Sequence, residues 1–151
     1  MTTNNEISLR FLEQEDYAAW LPLWKGYQTF YKTDIPEEAT ACTWERFHDV
    51  NEPVYAIGAF LDRKMVGMVH YLFHRSTWTT GNYCYLQDLF TNEDARGKGV
   101  GRTLIEEVYS EAEKSGASRV YWLTQEGNSV ARVLYDKVAT SSGFVQYRKM
   151  L

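Results

Sequence analysis

The chain has 151 residues, a formal net charge of −4, and 44% hydrophobic and 15% aromatic residues. This is the make-up of one globular domain spanning residues 1–151, with core enough to fold, and not of a disordered chain. It speaks against a broadly basic nucleic-acid face, and no apolar run approaches the ~20 residues of a membrane span. Two cysteines, Cys42 and Cys84, lack CxxC spacing, which excludes a disulfide framework and a zinc module; the polar stretch at residues 1–6 has no apolar signal region, so the expectation is a cytoplasmic protein.

In chain order, residues 6–12 alternate apolar Ile7, Leu9 and Phe11 with polar Ser8 and Arg10, the period of a strand. The acidic run 13–16 suits a helix start with Asp16 as cap. Tyr17, Trp20, Leu21, Trp24, Tyr27, Gln28 and Tyr31 then recur at helical spacing, with Pro22 placed to kink the run. Residues 33–40 read as a loop around Pro36, and 43–49 as a short helix capped by Thr43. Residues 54–61 and 65–73 are apolar strands joined by a tight turn, hence a hairpin. A polar loop leads to a further strand over 83–91. A helix over 102–115 follows, with Val100, Leu104, Val108 and Ala112 on one face, Ile105 beside them and Gly116 placed to close it. A short buried strand at 120–124, a helix from Asn128 or Ser129 to about residue 140, and a final strand at 144–150 complete the chain. The order β-αα-β-β-β-α-β-α-β predicts an α/β fold, with one mixed sheet covered by helices on both faces.

Between the fourth strand and the third helix lies Arg96-Gly97-Lys98-Gly99-Val100-Gly101. A glycine-rich turn entering a helix leaves backbone N–H groups unpaired at the positive end of the helix dipole, which makes a cradle for a phosphate or pyrophosphate. A turn that merely redirects the chain, with Gly101 allowing close packing, explains the same residues, so the stretch alone leaves both readings open.

The order of elements, with Arg96-x-x-Gly99-x-Gly101 at that junction, resembles the GNAT family of N-acetyltransferases. Tyr85-Leu86-Gln87-Asp88-Leu89-Phe90 is similar to the fourth strand of the polyamine acetyltransferases. Asn128-x-x-Ala131-x-x-x-Tyr135 followed by Gly143-Phe144 is similar to the family's last helix and final turn. The resemblance covers nearly the whole chain and points to the histone, polyamine and amino-acid acetyltransferase branch. It implies acetyl-CoA as co-substrate and a splayed central strand pair that admits it. The pyrophosphate would rest on backbone N–H groups of Gly97, Lys98, Gly99, Val100, Gly101 and Arg102, with charge from the Arg96 and Lys98 side chains. The pantetheine arm would pair with the backbone of Leu89, Phe90 and Thr91 as an added strand, and Asn128 would contact the arm or a bound water. It further implies pairing of two copies through the C-terminal strands, a homodimer.

Attack of a neutral amine on a thioester requires removal of an amine proton, polarisation of the carbonyl and protonation of the leaving thiolate. Tyr135, at the family's tyrosine position, is the candidate acid, since a phenol with a pKa of about 10 keeps its proton at neutral pH. The base is less legible. The polyamine enzymes carry a glutamate at the position of Gln87, and an amide cannot take a proton. Asp88 is adjacent, but neighbouring strand residues face opposite ways unless a bulge intervenes. A water chain is the other route. Tyr27, Tyr31 and Glu38, with Phe30, Asp34 and Glu37 nearby, and Trp122 are candidates for the acceptor wall, where aromatics and carboxylates suit a cationic amine. His48, His70 and His74 lack metal-ligand spacing and read as ordinary residues, with no metal site. The expectation is transfer of an acetyl group to a primary amine of a polyamine, an amino acid or a peptide lysine within a ternary complex, with neither nucleic acid nor membrane as partner. A non-catalytic acyl-CoA-binding module on the same fold is the alternative.

Overall fold

In the computed structural model, which describes residues 6–151, the chain builds one five-stranded sheet in the order β1-β2-β3-β4-β5. The first five residues of the polar N-terminal stretch lie outside the described part. The strands are β1 Ser8–Phe11, β2 Val54–Leu61, β3 Lys64–Arg75, β4 Asn82–Thr91 and β5 Val120–Tyr121; the helices are α1 Tyr17–Phe30, α2 Glu37–Phe47, α3 Val100–Lys114 and α4 Ser129–Val138. The first four strands run antiparallel to their neighbours, and β5 runs parallel to β4. The mixed α/β sheet expected from the sequence is therefore present. The β2–β3 hairpin closes through Asp62 and Arg63, both left-handed with φ 49° and 67°, the conformation whose twist matches paired strands.

Period-two alternation sorts the strand side chains into two cores. Ile57, Val69, Tyr71, Cys84 and Leu86 pack on one face against Val100, Leu104, Ile105, Val108 and Ala112 of α3. Ala56, Phe60, Met65 and Met68 pack on the other against Trp20, Leu23 and Trp24 of α1 and Trp44 of α2. The α3 stripe read from the sequence is the stripe that is buried. Its end is a complete Schellman motif: Gly116 takes φ 78°, Gly116 N–H donates to Glu113 O and Ala117 N–H to Ala112 O.

Local chemistry shifts several boundaries. Asp16 does not cap α1 through its side chain. Its carboxylate accepts from Arg10 at 2.6 and 2.9 Å and from the Glu13 N–H at 2.7 Å, closing a short 3-10 turn before the helix. α1 runs on through Pro22, which lies on its exposed side. α2 starts at Glu37, six residues before the expected Thr43, because Pro36 leads in and Glu37 and Glu38 occupy the first turn, where carboxylates complement the helix dipole. Trp24 Nε1–H donating to Thr40 Oγ1 at 3.1 Å ties that turn to α1.

The expected final strand over 144–150 is not formed. Residues 139–151 carry no regular structure, and residues 140–151 make no backbone–backbone hydrogen bond. Phe144, Val145, Tyr147, Met150 and Leu151 are exposed. An apolar strand pattern becomes a strand only where a free edge accepts its N–H and C=O groups, and β5 pairs at two positions only, fewer than the expected residues 120–124.

The start of α3 lies close on β3 at Gly67, where an added Cβ would stand 2.7 Å from Val100 Cγ1 and 3.2 Å from Phe90 O. Gly67→Ala is therefore expected to lower stability by about 1–3 kcal/mol, read as a fall in Tm. An unchanged Tm would mean that α3 can move off the sheet without cost.

Candidate active site

Two irregularities in β4 open the site. β4 and β5 pair only at Cys84↔Val120 and Tyr85↔Tyr121, so beyond Tyr85 the β4 edge facing β5 has no strand partner. The β3–β4 register then slips: His70 pairs with Asp88 and Tyr71 with Leu86, which leaves Gln87 as the extra residue of a bulge. A regular strand would turn Gln87 and Asp88 to opposite faces. Here Gln87 and Asp88 line one cavity of ≈ 660 Å³ with Tyr85, Leu86 and Leu89 of β4, Tyr27 of α1, Tyr31 just after that helix, Trp122 after β5 and Tyr135 of α4. The splayed strand pair is thus present, and the bulge brings Asp88 beside Gln87.

Asp88 is 7% exposed, and its burial is compensated by a cross-strand hydrogen bond. His70 Nδ1 lies 2.9 Å from Asp88 Oδ2, and the other ring nitrogen, Nε2, accepts from Trp20 Nε1–H at 3.0 Å. The Tyr27 hydroxyl is held well above the ordinary tyrosine range, first by burial and then by the neighbouring Asp88 carboxylate. Burial and then Asp88 also raise Tyr31 and Tyr85. Among the described residues lining this aromatic pocket, Asp88 is the one acidic side chain, and these phenols stay neutral around it.

Tyr135 of α4 lines the same cavity. It is half-buried and meets Trp122 edge-on, with ring centroids 5.4 Å apart. Burial, with a smaller contribution from Tyr31, pushes its pKa up to about 12, so the phenol carries a transferable proton at neutral and mildly alkaline pH. Asn128 stands at the start of α4 but does not cap it through its side chain; Nδ2 instead donates to Thr124 Oγ1 at 3.4 Å.

The glycine turn has the form expected of an anion cradle. Gly97 and Gly99 take φ 78° and 82°, and an added Cβ at either would meet nothing within 4 Å, so their conformation and not packing calls for glycine. Gly101 would meet only Leu134 at 3.5 Å, an ordinary contact. Thr103 closes the first turn of α3 by donating N–H and Oγ1–H to Gly99 O at 3.0 and 2.7 Å. The backbone N–H groups of Gly97, Lys98, Gly99, Val100, Gly101 and Arg102 find no acceptor among the described residues. Arg96 and Lys98 are exposed beside them, while Arg102 is engaged with Glu106 at 2.8 Å. Leu89, Phe90 and Thr91 are half-buried on the stretch of β4 whose second edge is unpaired.

The structure thus gathers Tyr27, Tyr31, Gln87, Asp88, Leu89, Trp122 and Tyr135 around one cavity. Glu38 is not among them; it is exposed on the first turn of α2. The sequence reading missed His70, whose partners lie 50 residues upstream and 18 downstream. It also missed Lys32 and Arg148, which line the cavity from the end of α1 and from the C-terminal segment. Only the register of β3 on β4 distinguishes His70 from any strand histidine. Among the described residues, no group of three or more His, Cys, Asp or Glu side chains is placed to hold a metal ion.

Comparison with known proteins bears on the whole of this architecture. The model of the acetyltransferase (GNAT) family matches residues 17–139. The chain is 40% identical to the D-amino-acid N-acetyltransferase HPA3 of Saccharomyces cerevisiae over 97% of its own length and 92% of that protein. It is 32% identical to the thialysine N-epsilon-acetyltransferase of Caenorhabditis elegans over 58% of this chain and 54% of that one. The ribosomal-protein-alanine N-acetyltransferase of Brucella melitensis shares the fold, with a TM-score of 0.81 at 22% identity over 97% of this chain and 99% of that one.

A left-handed conformation costs a residue with a Cβ roughly 1–2 kcal/mol. Gly99→Ala is therefore expected to weaken binding of CoA, used as a diphosphate-bearing probe in calorimetric titration, by about 5–30-fold. Unchanged affinity would remove the turn from the binding site.

Proposed function

The chain belongs to the acetyltransferase (GNAT) family and is an acetyl-CoA-dependent N-acetyltransferase; from that premise we propose which of its residues carry the reaction and which amine it takes. The observation that carries the proposal is a single cavity lined by both a buried, hydrogen-bonded Asp88 and Tyr135. The alternative of a non-catalytic binding module gives way to the enzyme reading.

The unpaired N–H groups of residues 97–102 fit a pyrophosphate, and the unpaired edge of β4 fits an extended arm carrying amides. We assign donor binding to the backbone of Leu89, Phe90 and Thr91 and to the turn from Gly97 to Arg102, with Arg96 and Lys98 supplying charge and Asn128 a contact to the arm. Acetyl-CoA supplies the activated acetyl group. Asp88 receives the acceptor's ammonium and takes one proton from it, freeing the lone pair that forms the bond to the acetyl carbon; the second proton that the nitrogen loses as the amide forms replaces, directly or through water, the one Tyr135 gives up. Tyr135 gives its proton to the sulfur as the carbon–sulfur bond breaks. The N–H of Leu89 is the assigned donor to the carbonyl oxygen. Gln87, which cannot take a proton, orients the acceptor by hydrogen bonding.

For the acceptor we propose a free amino acid. Asp88 with Tyr27, Tyr31 and Trp122 suits an ammonium, and Lys32 and Arg148 lining the same cavity suit the carboxylate that a polyamine lacks. The similarity to the D-amino-acid N-acetyltransferase HPA3 of Saccharomyces cerevisiae supports this choice. We further propose that the exposed apolar segment after α4 pairs with a second copy to give a homodimer, and that the enzyme works in the cytoplasm without metal or nucleic acid. No helix among the described residues is long and apolar enough to cross a membrane.

The test is release of free thiol from acetyl-CoA with D- and L-amino acids, polyamines and lysine peptides as acceptors. Turnover is expected with amino acids, and Lys32→Ala combined with Arg148→Ala should raise KM for them while sparing amines without a carboxylate. Preference for polyamines or peptides would overturn the acceptor assignment. Tyr135→Phe is expected to lower kcat by about 10²–10⁴-fold with acetyl-CoA affinity unchanged; a wild-type kcat would remove Tyr135 as the acid.

A further inference from the structure

We propose that His70 is a positioning residue for Asp88: a neutral imidazole, held in one tautomer by Trp20, aims the carboxylate at the acceptor's nitrogen. The proposal rests on the reading of Asp88 as proton acceptor.

The tautomer follows from the donor inventory. An indole nitrogen only donates. With Trp20 Nε1 at 3.0 Å from His70 Nε2, Nε2 must present its lone pair. The ring proton then sits on Nδ1, 2.9 Å from Asp88 Oδ2, and Nδ1–H donates to the carboxylate. An imidazolium would set two N–H groups against each other at the Trp20 side and leave the indole donor unpaired in the core, so the contact to Asp88 is a hydrogen bond from a neutral ring.

Three elements have to meet for this chain of contacts: Trp20 from α1, His70 from β3 and Asp88 from β4, which are 0%, 3% and 7% exposed. The imidazole has little room to turn. Phe47 and Trp24 rings stand 4.7 and 5.2 Å from it, and Ala56 is its partner on β2. The bulge completes the arrangement, since the slip at Gln87 makes His70 and Asp88 direct cross-strand partners whose side chains share a face. The ionisable groups around the carboxylate, besides His70, are Tyr85 on its own strand, Tyr27 on α1 and Tyr31 at that helix's C-terminal end. Both ring nitrogens are engaged, and Nδ1 holds the Asp88 carboxylate that lines the cavity.

His70→Phe keeps a ring of similar size and removes the donor. It is expected to lower kcat by about tenfold or more with KM for acetyl-CoA unchanged. His70→Asn, whose side-chain amide can donate from nearly the same place as Nδ1, should recover part of the loss. In an Asp88→Asn background His70→Phe should cost nothing further, because residues acting as a unit are not additive. If Asp88→Asn alone keeps wild-type kcat, the proton-acceptor reading falls and the positioning role falls with it. If Asp88→Asn is impaired while His70→Phe is not, or if the two losses multiply, only the positioning role is overturned. Nitrogen-15 spectra of the wild-type imidazoles test the tautomer without reference to activity or to any variant's folding. A His70 protonated on Nδ1 and bare on Nε2 supports the proposal; the opposite tautomer or an imidazolium overturns it.

Discussion

The fold depends on a sheet that stops pairing halfway across. β4 is held along its whole length by β3 but by β5 at two positions only. Backbone N–H and C=O groups in a sheet interior demand partners, so an unpaired edge inside the molecule is a built-in demand for a ligand with amide groups of its own. The Gln87 bulge lies just where the pairing to β5 ends. It breaks the regular alternation of β4 within residues 85–89, which line the cavity, and sets Asp88 opposite His70. A perfectly regular β4 would pair His70 with Gln87 instead.

Close backbone approaches hold that opening in shape. Gly67 lets α3 start against β3, and Gly26 lets α1 lie on Phe90 of β4, where an added Cβ would stand 2.8 Å from the ring. The glycine turn is therefore anchored from below by packing, while its own Gly97 and Gly99 are free of neighbours and serve conformation alone. Rigidity beneath and openness above are what a preorganised anion site requires.

The electrostatics of the cavity follow from burial. Asp88 is kept in a nearly dry, aromatic environment by an N–H donor and is surrounded by phenols that burial holds neutral. Tyr135, which lines the same cavity, is also held neutral by burial, with its pKa at about 12. The bulge, the burial of His70 and the reach of Trp20 are connected: without the register slip, the imidazole and the carboxylate would not share a face.

Much of this was legible in the chain. Apolar runs on either side of a tight turn defined β2 and β3, helical spacing defined α1 and α3, and the glycine turn and Gly116 lie where the structure has positive φ. Such features are local: the period of apolar residues and the conformational freedom of glycine act within a few positions of one another. The site's donor half belongs to this class, since a turn and the helix it enters are contiguous. What only tertiary structure decided depends on which edges and faces meet. It placed Asp88 rather than Gln87 beside His70, brought Lys32 and Arg148 to the cavity and kept Glu38 out of it. It also left the apolar pattern after α4 without a strand, because β5, two residues long, offers it too short an edge. Register and edge pairing join residues far apart along the chain, and no short-range periodicity records them.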